Sequence, residues 1–383
     1  MTTLATPALE TRHADLSSMV GLLAEQYAHR VDLVQPASLI HAKGGLIQLA
    51  TDTPRVEITE HGVTTLSDLY TPTDVFHEGI ADKLGIPVGY VRRMAVEFPE
   101  LWDQNVNGWL GIDADNAKKY LVRTFPGLDG GPGIARAFLS DRYRVIDNLD
   151  VLTAALSGIE ASGIKVDITG CDLTERRMYV RFVARDLALP ANDFLRDYRA
   201  PNGDMGKYNT LVSAGGVITN SELGGGAYAI YPRVVVQVCG NGMTVTKDGT
   251  RKVHLGEKLS QGKIDWSADT NSKWLDLVKS MTTDSVAHWL SRDYLSAFIN
   301  EVTGQAAHRI ENPEEAIEIV GKKLRFDDTQ RAEILRSFIY GADPTAGGVM
   351  QAVTAVAQTQ ASGDKQAEME SRALEALAIA ARL

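Results

Sequence analysis

Apolar residues recur at helical spacing near the start of the chain, over residues 14–34. Asp15 or Ser17 stands where an N-cap would be needed, so the pattern predicts an amphipathic N-terminal helix. Residues 39–63 then shift to short β-like runs, LIQLA and RVEITEHGV, which are interrupted by Gly and Pro. The apolar face of the predicted helix consists of Met19, Leu22, Leu23, Tyr27 and Val31.

Two further helices are predicted at residues 73–97, around the turn LGIP at 84–87 and with Thr73 as N-cap. The second helix carries Arg92 and Arg93. A short glycine turn followed by a basic helix resembles a helix-turn-helix DNA reader. An ordinary packed helical hairpin explains the same pattern, and both interpretations stay open.

The centre of the chain alternates apolar and polar positions, which is typical of strands. KKYLVRTF and IARAFLS flank the loop PGLDGGPG and predict a β-hairpin, and a helix capped by Asn148 or Asp150 follows. KVDITGCDL, RRMYVRFVARDL and AYAIYPRVVVQVC predict three more strands. The polar stretch 189–208 between the last two predicts a long exposed loop that could become ordered on binding. The resulting order is β-β-α-β-β-β-α.

The segment VCGNGMTVTKDGTRKVHLG at 238–256 predicts a ribbon with two tight turns. Gly240, Asn241 and Gly242 suit a positive-φ turn, and Asp248-Gly249 predicts a second turn of hairpin type. Such a ribbon would present its basic side chains to solvent; these are Lys247, Arg251, Lys252 and His254.

The C-terminal third is helical by pattern, at 273–297, at 327–340 and in the alanine-rich tail from Gly347 onward. Alanine and leucine at helical spacing predict helices that pack against another element or another subunit. We therefore expect an α+β protein with a curved antiparallel sheet and flanking helical regions. Its expected parts are an N-terminal region at 1–118, a core at 119–262 and a helical, oligomerising region at 263–383.

Composition and charge limit the function classes. The 383 residues carry a net charge of -10, which argues against nucleic-acid binding by the whole surface. Lys119 to Gly262 holds 18 basic and 15 acidic residues, a local charge of +3 that leaves -13 for the remainder. No long apolar run predicts a membrane span or a secretory signal, and two cysteines predict no disulfide framework, so we expect a cytoplasmic protein.

The sequence contains only weak candidates for a catalytic motif. Cys239 and His254 could form a thiol pair, but Cys239 ends a β-branched run that is typical of buried strands. The histidines stand singly without metal-ligand spacing, and the glycine-rich loops lack a P-loop ending, so no metal or cofactor is expected. Asp141, Asp147 and Asp150 could serve a metal-dependent nuclease, although salt-bridged turns explain them more simply.

Several motifs together resemble a phage/plasmid-like family classed as a domain of unknown function. These are LGIPVGYVRRM, FPELWDQNVNGWL, ARAFLSDRYRVIDNLDVL, TNSELGGGAYAIYPRVVVQVCGNGM, RKVHLG and DPTAGGVMQAVTAVAQ, within residues 71–358. The predicted order of elements is also similar to the core of single-strand annealing recombinases of the RecT and Red beta superfamily. That resemblance implies rings or helical filaments with a positively charged groove.

The basic residues of the centre, mixed with tyrosines, are the combination that single-stranded nucleic acid uses. The hypothesis is an oligomeric protein that binds and anneals single-stranded DNA without nucleotide hydrolysis or metal. An anti-defence protein that binds a host protein, and a metal-dependent nuclease, are the alternatives. The expected contacts to the DNA backbone are Arg123, Arg136, Arg142, Arg144, Lys247, Arg251, Lys252 and His254.

Overall fold

A computed structural model gives the protein an α+β fold with curled sheets and flanking C-terminal helices. It describes residues 6–50, 56–59, 62–65, 67–127, 130–143, 145–200, 203–226, 228–238, 241–246, 250–251 and 268–383. Two large sheets organise the described chain, and the expected fold class is confirmed.

The first sheet is mixed and lies in the N-terminal part, in the order β2-β8-β9-β7-β4-β3. Strands β7 and β9 are parallel and the other neighbours are antiparallel. A separate hairpin pairs Val56–Thr59 (β5) with Gly62–Thr65 (β6). The strands of the first sheet are Val31–Pro36 (β2), Ile40–Lys43 (β3), Leu46–Leu49 (β4), Leu69–Pro72 (β7), Lys119–Phe125 (β8) and Gly133–Ser140 (β9).

The second sheet is antiparallel throughout, in the order β1-β10-β11-β12-β13-β14, with β15 also paired to β13. Its central strands are buried on both faces. Its strands are Thr11–Ala14 (β1), Asp167–Leu173 (β10), Met178–Pro190 (β11), Thr210–Asn220 (β12), Ala229–Val238 (β13), Asn241–Thr246 (β14) and Thr250–Arg251 (β15).

The helices cover both sheets. None in the described chain has the length and apolarity that a bilayer crossing requires. They are Leu16–His29 (α1), Asp74–Leu84 (α2), Val88–Glu97 (α3), Pro99–Asp115 (α4), Asn148–Ala161 (α5), Gly206–Asn209 (α6), Ala268–Trp289 (α7), Arg292–Ala306 (α8), Pro313–Lys323 (α9), Asp328–Gly341 (α10), Ala346–Thr359 (α11), Gly363–Ser371 (α12) and Ala373–Ala380 (α13).

Local signals of the sequence located the helix starts well. Asp15 caps α1 by accepting the Ser18 amide, and Thr73 caps α2 by accepting the Phe76 amide. Gly85 ends α2 in the left-handed region, at φ 70°, where glycine carries little strain. The cap position of α5 is Asp147, one residue before Asn148 and three before Asp150, the two predicted candidates.

The hairpin β8–β9 forms as predicted but belongs to a different sheet from the strands that follow it. It pairs with β2 and β7 of the N-terminal region, whereas β10 to β13 build the second sheet. The β-β-α-β-β-β order therefore does not correspond to one sheet over residues 119–262. Pairing of β2 with β8 joins residues about ninety positions apart, and no local pattern announces such a contact.

The stretch 189–208 differs from the expected exposed loop. Ala191, Phe194, Leu195 and Tyr198 are buried in the main hydrophobic core, against the C-terminal helices. The sequence reasoning also missed strand β12, because its run TLVSAGGVITN holds two central glycines. Gly216 of β12 stands where a Cβ would meet the Phe182 ring of β11 at 2.4 Å. The close approach of this ring therefore requires glycine at position 216.

The ribbon expected at 238–256 is partly different. Strands β13 and β14 form a hairpin, and the return strand begins at Asn241. Strand β15 then pairs antiparallel with β13 as well, with Ala229 opposite Arg251. The second predicted turn, at Asp248-Gly249, and the rest of the expected ribbon beyond Arg251 lie outside the described residues.

The alanine-rich tail packs inside its own chain. Nearly every residue of α11 is buried, and its apolar side chains belong to the same core as α5, α7 and the second sheet. Helices α10 and α13 are its main neighbours. Small side chains on α11 allow this close approach of helices on several sides.

Candidate functional site

Arg123 of strand β8 stands at the centre of a buried charged junction between the two sheets. Its side chain is 0 % exposed and donates to three partners. Nε donates to Asp32 at 2.8 Å, Nη2 donates to Asp147 at 2.8 Å, and Nη1 donates to the Glu222 carbonyl at 2.9 Å. Each of the three guanidinium nitrogens therefore donates to a group within the protein.

Arg136 of strand β9 adds a second buried cation. Its Nη2 donates to the Glu222 carboxylate at 2.6 Å, and its guanidinium lies 4.2 Å from the centre of the Phe125 ring. The other oxygen of Glu222 accepts the Asn148 amide at 3.0 Å, at the start of α5. One carboxylate thus joins the first sheet to the helix that covers the second sheet.

The loop 220–226 positions Glu222. Asn220 donates to the Asn148 side chain at 2.9 Å and to the Ile146 carbonyl at 3.2 Å. The Ser221 hydroxyl accepts the Gly225 amide at 2.9 Å. Residues of the motifs SDRYRVIDN and NSELGGGA, which are separate in sequence, therefore meet at one junction with the hairpin arginines.

Burial and charge act in opposite directions on these groups. Burial alone would raise the pKa of Glu222, but Arg136 and Arg123 together hold that pKa below its usual value. Burial raises the pKa of Asp147 in spite of Arg123. Burial, helped by the nearby Arg123 charge, lowers the pKa of Arg136. The junction is thus a set of interdependent charges in which each member needs the others.

The chemistry open to this junction is limited by its space. A cleft beside Arg136 and Glu222, also lined by Gln26, Asn148 and Arg176, has room for about one water molecule. Among the described residues no group of three His, Cys, Asp or Glu side chains is arranged to hold a metal ion. The geometry is that of a structural clamp between sheets.

Of the sequence-predicted contacts that the structure describes, Arg123 and Arg136 meet at Glu222, inside the protein. Arg123 and Arg136 lie on the two hairpin strands as predicted, but both are buried in ion pairs, so neither guanidinium lies on a surface where it could make the expected contact to a DNA backbone. Arg142 is exposed. Arg251 lies in edge strand β15. The other residues of the predicted surface lie outside the described residues; they are Arg144, Lys247, Lys252 and His254.

The remaining candidates of the sequence can be placed as well. Arg92 is paired with Asp74 and Glu78, and Arg93 is paired with Glu97, so the helical hairpin does not present an unpaired basic face. Cys239 lies outside the described residues. Cys171 is buried, and burial raises the pKa of its thiol to about 11, which disfavours the reactive thiolate.

A different surface combines exposed cations and aromatic rings, at the end of the second sheet where β11 joins β12. We call it the loop surface. Tyr208 is 67 % exposed and Tyr340 is 66 % exposed. The Lys207 amine lies 4.7 Å from the centre of the Tyr208 ring. The loop surface consists of Arg196, Arg199, Lys207, Tyr208, Arg309 and Tyr340.

Backbone contacts hold the parts of the loop surface together. The Lys207 amide donates to the Arg196 carbonyl at 3.1 Å, and the Arg199 amide donates to the Gly341 carbonyl at 2.9 Å. Arg309 forms an antiparallel bridge with Thr345, four residues beyond Gly341. Among the described residues, none of the ion pairs within 4.0 Å involves Arg196, Arg199, Lys207 or Arg309. They remain available to an external anion.

Asp343 lies beneath the loop surface, between α10 and α11. The carboxylate is buried and accepts the Thr345 hydroxyl at 2.7 Å. Burial raises its pKa to about 6, in spite of that hydrogen bond, and the nearby Asp197 adds to the effect. A buried carboxylate with a raised pKa is a cost to stability and a frequent mark of functional regions.

We expect Asp343→Asn to stabilise the protein at neutral pH. Since the folded pKa of Asp343 exceeds the unfolded value, native stability falls as pH rises from about 4 to about 6 and stays reduced above it. Removing the charge should raise the free energy of unfolding at pH 7.5 by about 1–3 kcal/mol, and the gain should vanish near pH 4.

Urea unfolding at several pH values measures this effect. Asp193→Asn, at an exposed aspartate of the same segment, is the matched control and should show no comparable dependence. A gain for Asp343→Asn that is equal at pH 4 and pH 7.5, or a loss at pH 7.5, would contradict the prediction.

We compared the chain with models of known families, with curated proteins and with solved structures, and none of these comparisons gave a match. The resemblance of the motifs to a phage/plasmid-like family, and of the element order to RecT-type annealing proteins, stays a prediction.

Proposed function

We propose that the protein binds single-stranded DNA as an oligomer and promotes annealing of complementary strands. The observation that carries this proposal is the loop surface, where exposed cations stand beside exposed tyrosines. Single-stranded nucleic acid is held by the same two features, a cation for each phosphate and a ring on which a base can stack.

The net charge indicates whether electrostatic attraction or stacking contributes more to the affinity for single-stranded DNA. Residues 191–209 hold three basic and three acidic side chains, so the segment has no net charge, and the whole chain carries -10. Electrostatic attraction at long range is therefore weak. Stacking on Tyr208 and Tyr340 must supply much of the affinity, with local phosphate contacts from Arg196, Arg199 and Lys207.

This balance predicts a modest salt dependence. Four cations, Arg196, Arg199, Lys207 and Arg309, would release at most about four counterions. The logarithm of the binding constant should then fall with the logarithm of salt concentration with a slope of about -3 or less steep for a single strand. A slope near -6 or steeper would point to a different, more basic surface.

We expect Tyr208→Ala to weaken binding of a labelled oligothymidine by about 5- to 150-fold, because each stacked base contributes ~1–3 kcal/mol. Fluorescence anisotropy at low salt measures the change, and strand annealing should fall in parallel. Tyr90→Ala is the matched control, since Tyr90 is also an exposed helical tyrosine but lies on α3. Absence of binding by the unmodified protein, or an equal loss in Tyr90→Ala, would contradict the proposal.

A further inference from the structure

The face of the second sheet that points away from the hydrophobic core carries two buried arginines. Along β11, Arg181 lies between the core residues Val180 and Phe182 and therefore points to the opposite face. The register across β12 places Arg233 of β13 on the same face, two strands away. Both side chains are buried, with 6 % and 7 % of their surfaces exposed. Two cations are thus enclosed in one layer of the protein.

Asp172 of β10 is the acceptor for the first arginine. Its Oδ2 accepts Arg181 Nη1 and, at 2.8 Å, Arg12 Nη1. Its Oδ1 accepts the His13 amide at 2.8 Å. Arg181 Nη2 is buried and has no hydrogen-bond partner in the part of the chain that the structure describes. One N–H group of a charged guanidinium therefore remains unsatisfied beside a carboxylate whose two oxygens are both occupied.

Glu370 of α12 is the described carboxylate within 4.0 Å of the second arginine. Its Oε1 lies 3.6 Å from Arg233 Nη2, which is beyond hydrogen-bond length, and already accepts Gln366 Nε2 at 2.8 Å. Gln366 in turn accepts Arg12 Nη2 at 3.1 Å, so these contacts continue to Asp172. Arg233 Nε is buried without a partner among the described residues. Each arginine of the layer thus has one unpartnered nitrogen.

The charges of this layer do not balance. The described side chains that these contacts join include three cations and two anions; they are Arg12, Arg181, Arg233, Asp172 and Glu370. Burial lowers the pKa of Arg233, Glu370 opposes that shift, and the nearby charge of Arg181 adds to it. A guanidinium does not lose its proton near neutral pH, so deprotonation cannot remove the extra charge. Because a buried unpaired charge is strongly destabilising, an anion is the compensation that remains.

The surroundings of the two unpartnered nitrogens limit the kind of anion. Their strands lie about 10 Å apart across β12, a distance that two arginine side chains can span with one small ion between them. Gly215 of β12 stands opposite Arg233 and has no side chain to fill the space above the sheet. Charged donors form shorter and stronger hydrogen bonds to an anion than neutral donors do. Since both nitrogens are enclosed, a single atom fits this position better than a phosphate or a carboxylate.

We infer that a monatomic anion of the size of chloride binds between Arg181 and Arg233, where it accepts from Nη2 of the first and Nε of the second. The bound anion neutralises the third cation of the layer and satisfies both unpartnered donors. It also links α12 and the N-terminal strand β1 to the second sheet, because Glu370 and Arg12 belong to the same set of contacts. The inference does not depend on DNA binding.

The dependence of stability on chloride tests the inference in solution. If the folded protein holds one anion and releases it on unfolding, the logarithm of the unfolding constant should fall with the logarithm of chloride concentration, with a slope of about -1 once the site is saturated. Urea unfolding measures this slope over a roughly 100-fold range of chloride concentration. Gluconate, which is too large for the site, keeps the ionic strength constant. A slope near zero for the unmodified protein would overturn the inference.

Variants separate this site from general effects of salt. Arg233→Met should abolish the slope, because it removes one donor and the extra charge. Arg185→Met, at an exposed arginine of the same strand as Arg181, is the matched control and should keep the slope. Glu370→Gln keeps both arginines and should tighten chloride binding by about 10-fold or more, since a competing negative charge at short range is removed. Weaker chloride binding in Glu370→Gln, or an unchanged slope in Arg233→Met, would contradict the site.

Crystals of the unmodified protein soaked in bromide locate the anion directly, whether or not the variants fold. The anomalous signal of bromide should give a peak within hydrogen-bond distance of both Arg181 Nη2 and Arg233 Nε. Peaks at surface cations alone, or no peak at all, would show that the two nitrogens bind no halide and would overturn the inference.

Discussion

Arg123→Met should lower the free energy of unfolding by about 3–5 kcal/mol, since removing one partner from a buried ion pair leaves uncompensated charge in the interior. Arg123 is fully buried between Asp32, Asp147 and Glu222. Methionine fills a similar volume but satisfies none of these carboxylates. Because three elements of the fold meet at Arg123, this substitution should weaken the contacts among all three.

The control is Arg185→Met. Arg185 also pairs with an aspartate, Asp167 at 2.7 Å, but both side chains are exposed. Such a pair contributes less than about 1 kcal/mol. Arg123→Lys gives an intermediate case, since it keeps one charge but loses the planar fork that reaches several acceptors.

Urea unfolding of the three variants measures how much free energy of unfolding each one loses. We expect the loss to be largest for Arg123→Met, smaller for Arg123→Lys and smallest for Arg185→Met. Equal losses in Arg123→Met and Arg185→Met would show that the junction is not the clamp that its geometry indicates.

Gly158→Ala should produce the second large effect, a loss of about 1–3 kcal/mol from overpacking. Gly158 lies on α5, where a Cβ would approach the Lys279 carbonyl to 2.5 Å and Thr282 to 2.7 Å on α7. Thr283 also donates to the Gly158 carbonyl at 3.0 Å, so the helices cannot separate without losing this hydrogen bond.

Gly21→Ala provides the matched control, because Gly21 is also helical but a Cβ there would meet nothing within 4 Å. Alanine should stabilise that position by about 0.5–1 kcal/mol through its helix propensity. Thermal unfolding of both variants gives shifts of opposite sign. A stabilised Gly158→Ala protein would contradict the close packing of α5 on α7.

Residues that interact over short distances in sequence made much of the secondary structure predictable. The caps Asp15 and Thr73, the glycine at the end of α2 and the alternation in β8 and β9 all depend on neighbours within a few positions. Strand β12 was missed because its two central glycines weaken the strand pattern, and their reason is the approach of Phe182 from another strand.

The candidate site was harder to predict than the fold class. A buried arginine and an exposed arginine on a strand have the same sequence pattern when the strand lies between two layers. Arg123 was therefore expected on the surface, and its burial depends on Asp32, Asp147 and Glu222, which come from three distant segments. The loop surface could not be predicted from the sequence for a similar reason. Arg199 and Tyr340 become neighbours only when the segment that contains Arg199 packs on the end of α10.

By itself the sequence determined the α+β class, the caps of α1 and α2, the helices α3, α5 and α10, and the β8–β9 hairpin, because hydrophobic periodicity and capping act within one or two turns of the chain. Only the tertiary structure decided that this hairpin joins the N-terminal sheet, that Arg123 and Arg136 are clamped inside, and that Arg181 and Arg233 are enclosed in one layer. Those outcomes depend on which distant surfaces exclude water from one another, and no local pattern carries that information.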